Sequence, residues 1–386
     1  MKLFSHPYSL NRLVLVLSFL GSATSTHADP EFYLPARFLI GPAQRTQVPM
    51  PNAEEMVRLR RDIPYRNEWA WRFVEHWSAQ VPFVKKPDAT LPRWATLYEP
   101  EDAKNLFTVA DAADSVSSLG IGDWETAYLG QFEKSGLWSG DAFLRWLNPI
   151  ADSLEKLRGS MGLSRTLYDR SSLEHMYQHR ESLKNCQNTP CFDEEFPLGT
   201  VIFKLAWQRL DKGFKIPVFF TGEADLKKRF DSVLGSWDEP DTYQDGSAFK
   251  GYTVSLRDGS RFGLVAMHAM VKTHSDWLWL TMWWNGVSHL TVPYQLCSVV
   301  DFQEESRDGK RSWCSNPYFE KGPHNARTNC IGCHQHAGSG ARQEWILSSD
   351  HGEAASHPAL DRVRGDFPSD YVYGAYRDIA PILRGM

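Results

Sequence analysis

Apolar residues recur with two different periods along this 386-residue chain, and the change of period divides it into two regions. In the first region, Trp69, Phe73 and Trp77 are four residues apart, so a helix over 67–80 would carry them on one face. The start after Pro51-Asn52 predicts a helix over 54–61, and Pro100 with acidic residues in the first turn predicts one over 101–113. An apolar stripe predicts a further helix over 141–158. The segment 29–51 is rich in proline and aromatic residues without a clear period, which predicts an extended arm.

The second region has the alternating period of β-strands. In the run GTVIFKLAWQRL, Val201 and Phe203 fall on one face and Lys204 on the other. Asp258-Gly259 is a dipeptide typical of hairpin turns. The predicted strands cover 199–210, 252–256, 261–272 and 277–285. The expected fold class is therefore α+β. A mainly helical region over 29–160 is followed by an antiparallel β-rich domain over 161–386, which ends in a C-terminal segment that contains Cys330–His334.

The beginning of the chain has the pattern of an export signal. Lys2 and Arg12 precede an apolar run over 13–20, and small residues follow up to Ala28. The apolar run is too short to span a bilayer, and no later segment is both long enough and free of charge. We therefore expect cleavage after about Ala28, which gives residues 1–28 as signal peptide, and a periplasmic protein without a membrane span. The net charge of −5 and the lack of a basic tract argue against nucleic acid or an anionic membrane surface as partner.

The sequence Cys330-Ile331-Gly332-Cys333-His334 is the most specific motif of the chain. C-x-x-C-H is typical of covalent haem attachment, in which both thiols bind the porphyrin and the histidine binds the iron. The same residues with His336 could instead bind zinc, but the usual zinc pattern needs a second ligand pair, and none follows. A disulfide across so short a loop would not explain His334. The motif therefore predicts one haem c, with Cys330 and Cys333 as attachment sites and His334 as iron ligand.

Four cysteines remain outside this motif. In an oxidising compartment they would form two disulfides, and of the three possible connectivities the local one is favoured. That connectivity joins Cys186 to Cys191 and Cys297 to Cys314.

The second axial position of the iron has no obvious ligand. Met386 is the only methionine after the motif, and a chain terminus is a poor place for an axial ligand. Either an upstream residue reaches the iron or the position is open to a small molecule. The upstream candidates are His268, Met267, Met270 and Met282.

Two polar residues within apolar strands are candidates for chemistry. Lys204 would be desolvated and hence a better nucleophile, although such a lysine more often extends to a sheet edge or pairs with an acid. His268 could move protons near neutral pH, although a lone histidine in a strand is more often a satisfied core residue.

The order of these features resembles the cytochrome P-460 and cytochrome c-prime-beta family. The shared features are a G-T-V-x-x-K strand over 199–204, a strand ending in Val271-Lys272, a tryptophan-rich strand over 277–284 and a late C-x-x-C-H. The run Arg165-Thr166-Leu167-Tyr168 with a helix-like segment over 172–179, and the tail 370–373 followed by 381–383, are also similar to that family. The first region lies outside the resemblance.

The resemblance implies a mono-haem, β-rich protein whose iron is five-coordinate on His334. Members of that family are often dimers, which implies a homodimer as an expectation. In the hydroxylamine-oxidising members the lysine of the G-T-V-x-x-K strand is joined covalently to the haem edge, which implies this role for Lys204. An arginine of the preceding strand lines the pocket, which points to Arg165. Those members carry a pocket glutamate where this chain has His268, and this departure leaves the hydroxylamine reaction open.

Two functions follow as expectations. The first is a haem oxidoreductase acting on a small nitrogen or oxygen ligand such as hydroxylamine, nitric oxide or peroxide. In it, His268 would move protons, Arg165 and Lys204 would shape the site, and electrons would pass to a redox partner cytochrome. The alternative is a non-catalytic cytochrome that carries electrons or binds a gas.

Overall fold

The computed structural model describes most of the second region and parts of the first. The described residues are 50–82, 90–112, 163–185, 192, 194–211, 213–232, 235–255, 261–273, 277–286, 293–300, 313–322, 325–327, 329–334 and 375–386. The predicted signal peptide, all but the last two residues of the predicted arm, the predicted helix over 141–158, Cys186, Cys191 and the tail over 370–373 lie outside them.

The first region is helical where it is described. Its elements are α1 (Ala53–Arg61), α2 (Ile63–Ser78), the short strands β1 (Gln80–Pro82) and β2 (Thr90–Pro92), and α3 (Pro100–Ala112). Three predicted helices are thereby confirmed. The helix predicted over 67–80 begins earlier, because the Asp62 side chain caps it by accepting a hydrogen bond from the Tyr65 backbone N–H at 3.1 Å, and Pro64 fits its first turn.

The described residues of the second region form eight strands and several short helices. Its elements are β3 (Leu163–Tyr168), α4 (Arg170–Gln178), α5 (Arg180–Asn185), β4 (Val201–Arg209), β5 (Lys215–Val218), α6 (Glu223–Asp231), β6 (Thr242–Asp245), β7 (Thr253–Ser255), β8 (Arg261–Lys272), β9 (Trp277–Trp284), β10 (Tyr294–Val299), α7 (Cys330–His334) and α8 (Ala380–Arg384). The four predicted strands correspond to β4, β7, β8 and β9. The strands β5, β6 and β10 and the helix α6 were not predicted from the sequence.

One antiparallel sheet organises the second region. Its strands are ordered β10-β9-β8-β4-β3, and β7 pairs with the outer part of β8. The mixed α+β class with an antiparallel sheet is therefore confirmed. Gly199 precedes β4 with a φ of 87°, a conformation that favours glycine, in the turn between Pro197 and Thr200 that leads the chain into this strand.

The sheet is covered on both faces. On one face, Phe203 of β4 packs against Phe73 and Trp77 of α2, with ring centroids 6.0 and 5.3 Å away. Each such buried side chain contributes about 1.5–3 kcal/mol. The other face packs against α3, α4, α7 and α8. Helices of the first region thus cover part of both faces, because the sheet is apolar on both.

No helix among the described residues has the length and apolar character that a bilayer-crossing segment requires.

Candidate functional site

Lys204 and His268 are direct neighbours across two strands. The antiparallel register of β4 and β8 pairs them, and the same row continues to Thr166 on β3 and to Thr281 on β9. Residues paired in this way project from the same face of the sheet. The two polar residues that the sequence singled out separately therefore lie side by side, half-buried, on the face opposite Phe203.

The ring of Phe319 covers this pair. It stacks on the His268 imidazole with centroids 4.2 Å apart and planes 25° from parallel. The Nζ atom of Lys204 lies 4.9 Å from the centre of the same ring, within the range of a cation–π contact. One aromatic side chain thus orders both polar groups and reduces their access to water.

Glu320 completes the group, and nothing in the sequence had singled it out. One of its carboxylate oxygens lies 3.0 Å from Nε2 of His268, and both side chains are 18% exposed. Its other oxygen accepts hydrogen bonds from the backbone N–H of Asn316 and, at 3.4 Å, from the hydroxyl of Ser315. The only sequence signal would have been an acidic residue shortly before C-x-x-C-H, which is too common to mean anything alone.

The segment 313–322, which carries Phe319 and Glu320, is tied to the sheet at several points. Cys314 is disulfide-bonded to Cys297 of β10, in agreement with the predicted local pairing. The Asn316 side-chain amide donates to the Thr281 hydroxyl at 2.7 Å. The Tyr318 hydroxyl donates to the Pro217 carbonyl at 2.7 Å, and burial raises the pKa of this phenol well above its ordinary value, so it remains a neutral donor.

The C-x-x-C-H motif forms the single helical turn α7 next to this segment. Cys330 is buried, and its thiol donates to the Cys314 carbonyl at 3.6 Å. The ring of His334 lies 4.1 Å from that of Trp279 on β9. Of Cys333, the structure describes the backbone. Because Cys330 and His334 are four residues apart in a helix, they lie on the same side of α7.

The motif and the polar row meet in space. One potential ligand atom from each of His268, Glu320 and Cys330 lies within 4.8 Å of the other two. The strand β8 therefore converges with the later segments 313–322 and α7 at one point on the sheet.

No protein-family model, no curated protein and no solved structure matches this chain. The chemistry of the site therefore has to be inferred from its own residues.

The remaining predicted residues are placed differently. Arg165 lies on β3 and pairs with Leu205, one position from the Thr166–Lys204 pair. Met267 and Met282 belong to the apolar cluster that packs on the helices α1 and α2, across the sheet from Cys330, so they are excluded as iron ligands for the motif. Met270 belongs to the cluster that contains Cys330 and stays on the face of the motif.

The donor set fits a covalently attached haem. Two thiols and an imidazole occur on one helical turn at the required spacing, beside an apolar and aromatic wall that includes Ile202, Met270 and Trp279. The indole N–H of Trp279 is buried without a hydrogen-bond partner in the part of the chain that the structure describes. Four other buried indoles in the described part of the chain share this state, so the indole of Trp279 does not by itself indicate a ligand.

Proposed function

We propose that this protein is an exported mono-haem c-type cytochrome that acts as an oxidoreductase on a small nitrogen or oxygen compound. The observation that supports it most is the meeting of the C-x-x-C-H turn with the Lys204–His268 pair on one sheet face. Cys330 and Cys333 would hold the porphyrin and His334 its iron. When bound, the haem supplies an iron that changes oxidation state and accepts a small ligand.

His268 and Glu320 would handle the protons of this reaction. The imidazole can accept a proton, and the carboxylate 3.0 Å from Nε2 would stabilise the resulting imidazolium. The hydrogen bonds from Asn316 and Ser315 hold the other carboxylate oxygen, so the pair keeps its geometry as the proton moves. This pair would take the part that the resemblance assigns to a single glutamate.

Lys204 would position a bound ligand. Its ammonium group is held over Phe319, beside His268, where a fixed positive charge favours an anionic or strongly polar ligand. A covalent link from Lys204 to the haem edge, as the resemblance implies, would hold the porphyrin on this side as well. Arg165 is proposed for the pocket on the resemblance alone, since its backbone pairs with Leu205, in the row of Met267 and not in that of Lys204.

The alternative is a non-catalytic cytochrome that carries electrons or binds a gas. It is favoured by the contacts that His268 and Lys204 already make inside the protein, with Glu320 and Phe319. Polar groups satisfied in this way also occur in purely structural clusters.

A haem test on the exported protein decides whether either function is possible. We expect the full-length chain, produced in a bacterium with haem-attachment machinery, to yield a red periplasmic protein that starts after about Ala28 and carries one covalent haem. The measurements are a pyridine haemochrome spectrum and the intact mass. The double substitution Cys330→Ser/Cys333→Ser should remove the covalent haem. A colourless wild-type protein would contradict the proposal.

Ligand binding then separates the oxidoreductase from an electron carrier, and turnover separates it from a gas binder. The oxidoreductase predicts a high-spin ferric spectrum, rapid binding of nitric oxide and turnover of hydroxylamine or peroxide that is slower in Glu320→Gln than in the wild type. A low-spin iron that ignores added ligands would support the electron carrier instead.

A further inference from the structure

The cluster of His268, Glu320 and Cys330 contains the donor types of a transition-metal site. An imidazole nitrogen, a carboxylate oxygen and a thiol sulfur come from β8, from the segment 313–322 and from α7, and the three atoms lie within 4.8 Å of one another. The thiol is buried, and the other two side chains are mostly buried.

We infer that the haem-free chain binds Zn²⁺ through His268, Glu320 and Cys330, and that attachment of haem to Cys330 excludes this metal. The zinc site itself does not depend on the proposed function, since it concerns the polypeptide before or without haem; only its exclusion by haem rests on that function. It also differs from a zinc site within the C-x-x-C-H motif, because two of its three ligands lie outside that motif.

The distances are close to those of a tetrahedral site. With zinc bonds of about 2.0–2.3 Å, two ligand atoms in such a site are about 3.3–3.6 Å apart. The His268–Glu320 separation of 3.0 Å is about 0.3 Å shorter than this range. The other separations are at most 4.8 Å, so a movement of about 1 Å completes the site, and a fourth position is left for water.

Charge and donor softness also suit Zn²⁺. Binding releases the Cys330 proton to solvent, and the resulting thiolate with the Glu320 carboxylate neutralises the two positive charges of the ion, while the imidazole stays neutral. Thiolate and imidazole ligands select zinc or cobalt over magnesium and calcium, which prefer oxygen.

Each ligand is held by contacts of its own. His268 lies in the middle of the sheet under Phe319, and Glu320 is fixed by Asn316. Cys330 follows a bridge between Cys314 and Asn329, and Cys314 is disulfide-bonded to β10. These contacts hold the three ligand side chains near their metal-bound positions, so metal binding has to order them less.

Cobalt(II) titration of the full chain, produced without haem attachment, tests the inference. We expect one equivalent of Co²⁺ to give a thiolate-to-cobalt charge-transfer band and visible bands of tetrahedral intensity, and Zn²⁺ to abolish both. Cys330→Ser should remove the charge-transfer band. Glu320→Gln and His268→Gln should each weaken Co²⁺ binding more than about 10-fold.

Cys333→Ser is the matched control, because it removes the other thiol of the same motif. It should keep the band and change the affinity less than about 2-fold. Loss of the band in Cys333→Ser, with Glu320→Gln and His268→Gln unchanged, would place the metal within the motif and overturn the inference. A titration of the wild type without a charge-transfer band would also overturn it.

Thiol protection gives a second measurement on the wild-type chain, which needs no variant to fold. Zn²⁺ should slow alkylation of Cys330 and leave that of Cys333 unchanged, as read by peptide mass; equal rates at Cys330 with and without Zn²⁺ would count against the site. Neither result depends on the haem test, so failure of one proposal is distinguishable from failure of the other.

Discussion

At the scale of single residues, the position of Lys204 follows from the pairing of two strands. Its neighbour in the register is His268, and both contact Phe319. A half-buried amine beside an imidazole and an aromatic ring gains from the cation–π contact, which other positions of the side chain would lose. Strand pairing therefore places Lys204 next to His268, whose ring nitrogen lies near Cys330.

If Lys204 is joined to the haem edge, one tryptic haemopeptide of the holoprotein should contain both the Cys330–His334 peptide and the peptide with Lys204. Mass spectrometry of haem-containing fragments checks this. Lys204→Arg keeps the positive charge without the amine nucleophile. In this variant the peptide around residue 204 should no longer be attached to the haem, while the Cys330–His334 peptide still carries it. A wild-type digest in which only the Cys330–His334 peptide carries haem would mean that there is no link.

At the scale of elements, the start of α4 depends on one buried carboxylate. The Asp169 side chain accepts a hydrogen bond from the Ser172 backbone N–H at 2.8 Å and thereby caps the helix. Burial raises the pKa of Asp169 from 3.8 to about 7. The folded protein therefore keeps a proton on this group that the unfolded chain loses.

This difference predicts how Asp169→Asn changes the dependence of stability on pH. The pKa of Asp169 is higher in the folded protein than in the unfolded chain. The stabilisation of the fold by this proton is therefore complete below about pH 4 and is lost as the pH rises towards 7. Asparagine caps equally well and does not titrate. From pH 5 to pH 8, the free energy of unfolding of the variant should rise by on the order of 3 kcal/mol relative to that of the wild type.

Urea unfolding of both proteins at the two pH values measures this gain. If the free energy of unfolding changes equally with pH in the wild type and the variant, Asp169 is ionised in the folded protein at both pH 5 and pH 8, and the prediction is wrong.

At the scale of the whole molecule, the disulfide between Cys297 and Cys314 connects the sheet to the segment that carries Glu320. It closes a loop across a sequence separation of 17 residues. The lost conformational entropy raises the free energy of the unfolded chain by about 3 kcal/mol. The double substitution Cys297→Ala/Cys314→Ala should lower the free energy of unfolding by about this amount in a urea titration.

Reductant serves as the control for the disulfide. It should destabilise the wild type and change the double variant much less, since any remaining disulfide is common to both. An unfolding midpoint that is the same in the oxidised wild type and the double variant would contradict a structural role for this bond.

The sequence predicted the elements that local periodicity specifies. The helix α2 and the strands β4, β8 and β9 follow from the spacing of apolar residues, because each of these segments buries one or both faces. The helices α1 and α3 follow from start signals, the start after Pro51-Asn52 and Pro100 with acidic residues in the first turn. The strands β5, β6 and β10 were missed. They are short, and β5 and β6 pair only with each other in a separate two-stranded sheet, so their patterns carry little signal.

The amino-acid order by itself determined the α+β class, the strands β4, β8 and β9 and the C-x-x-C-H motif, since each depends on residues that are close in sequence. Only the tertiary structure decided that Lys204, His268, Glu320 and Cys330 share one place and that Met267 and Met282 do not. The physical reason is that strand register and the path of the segment 313–322 fix these contacts. Both are set by packing and hydrogen bonds between distant segments, which no local pattern records.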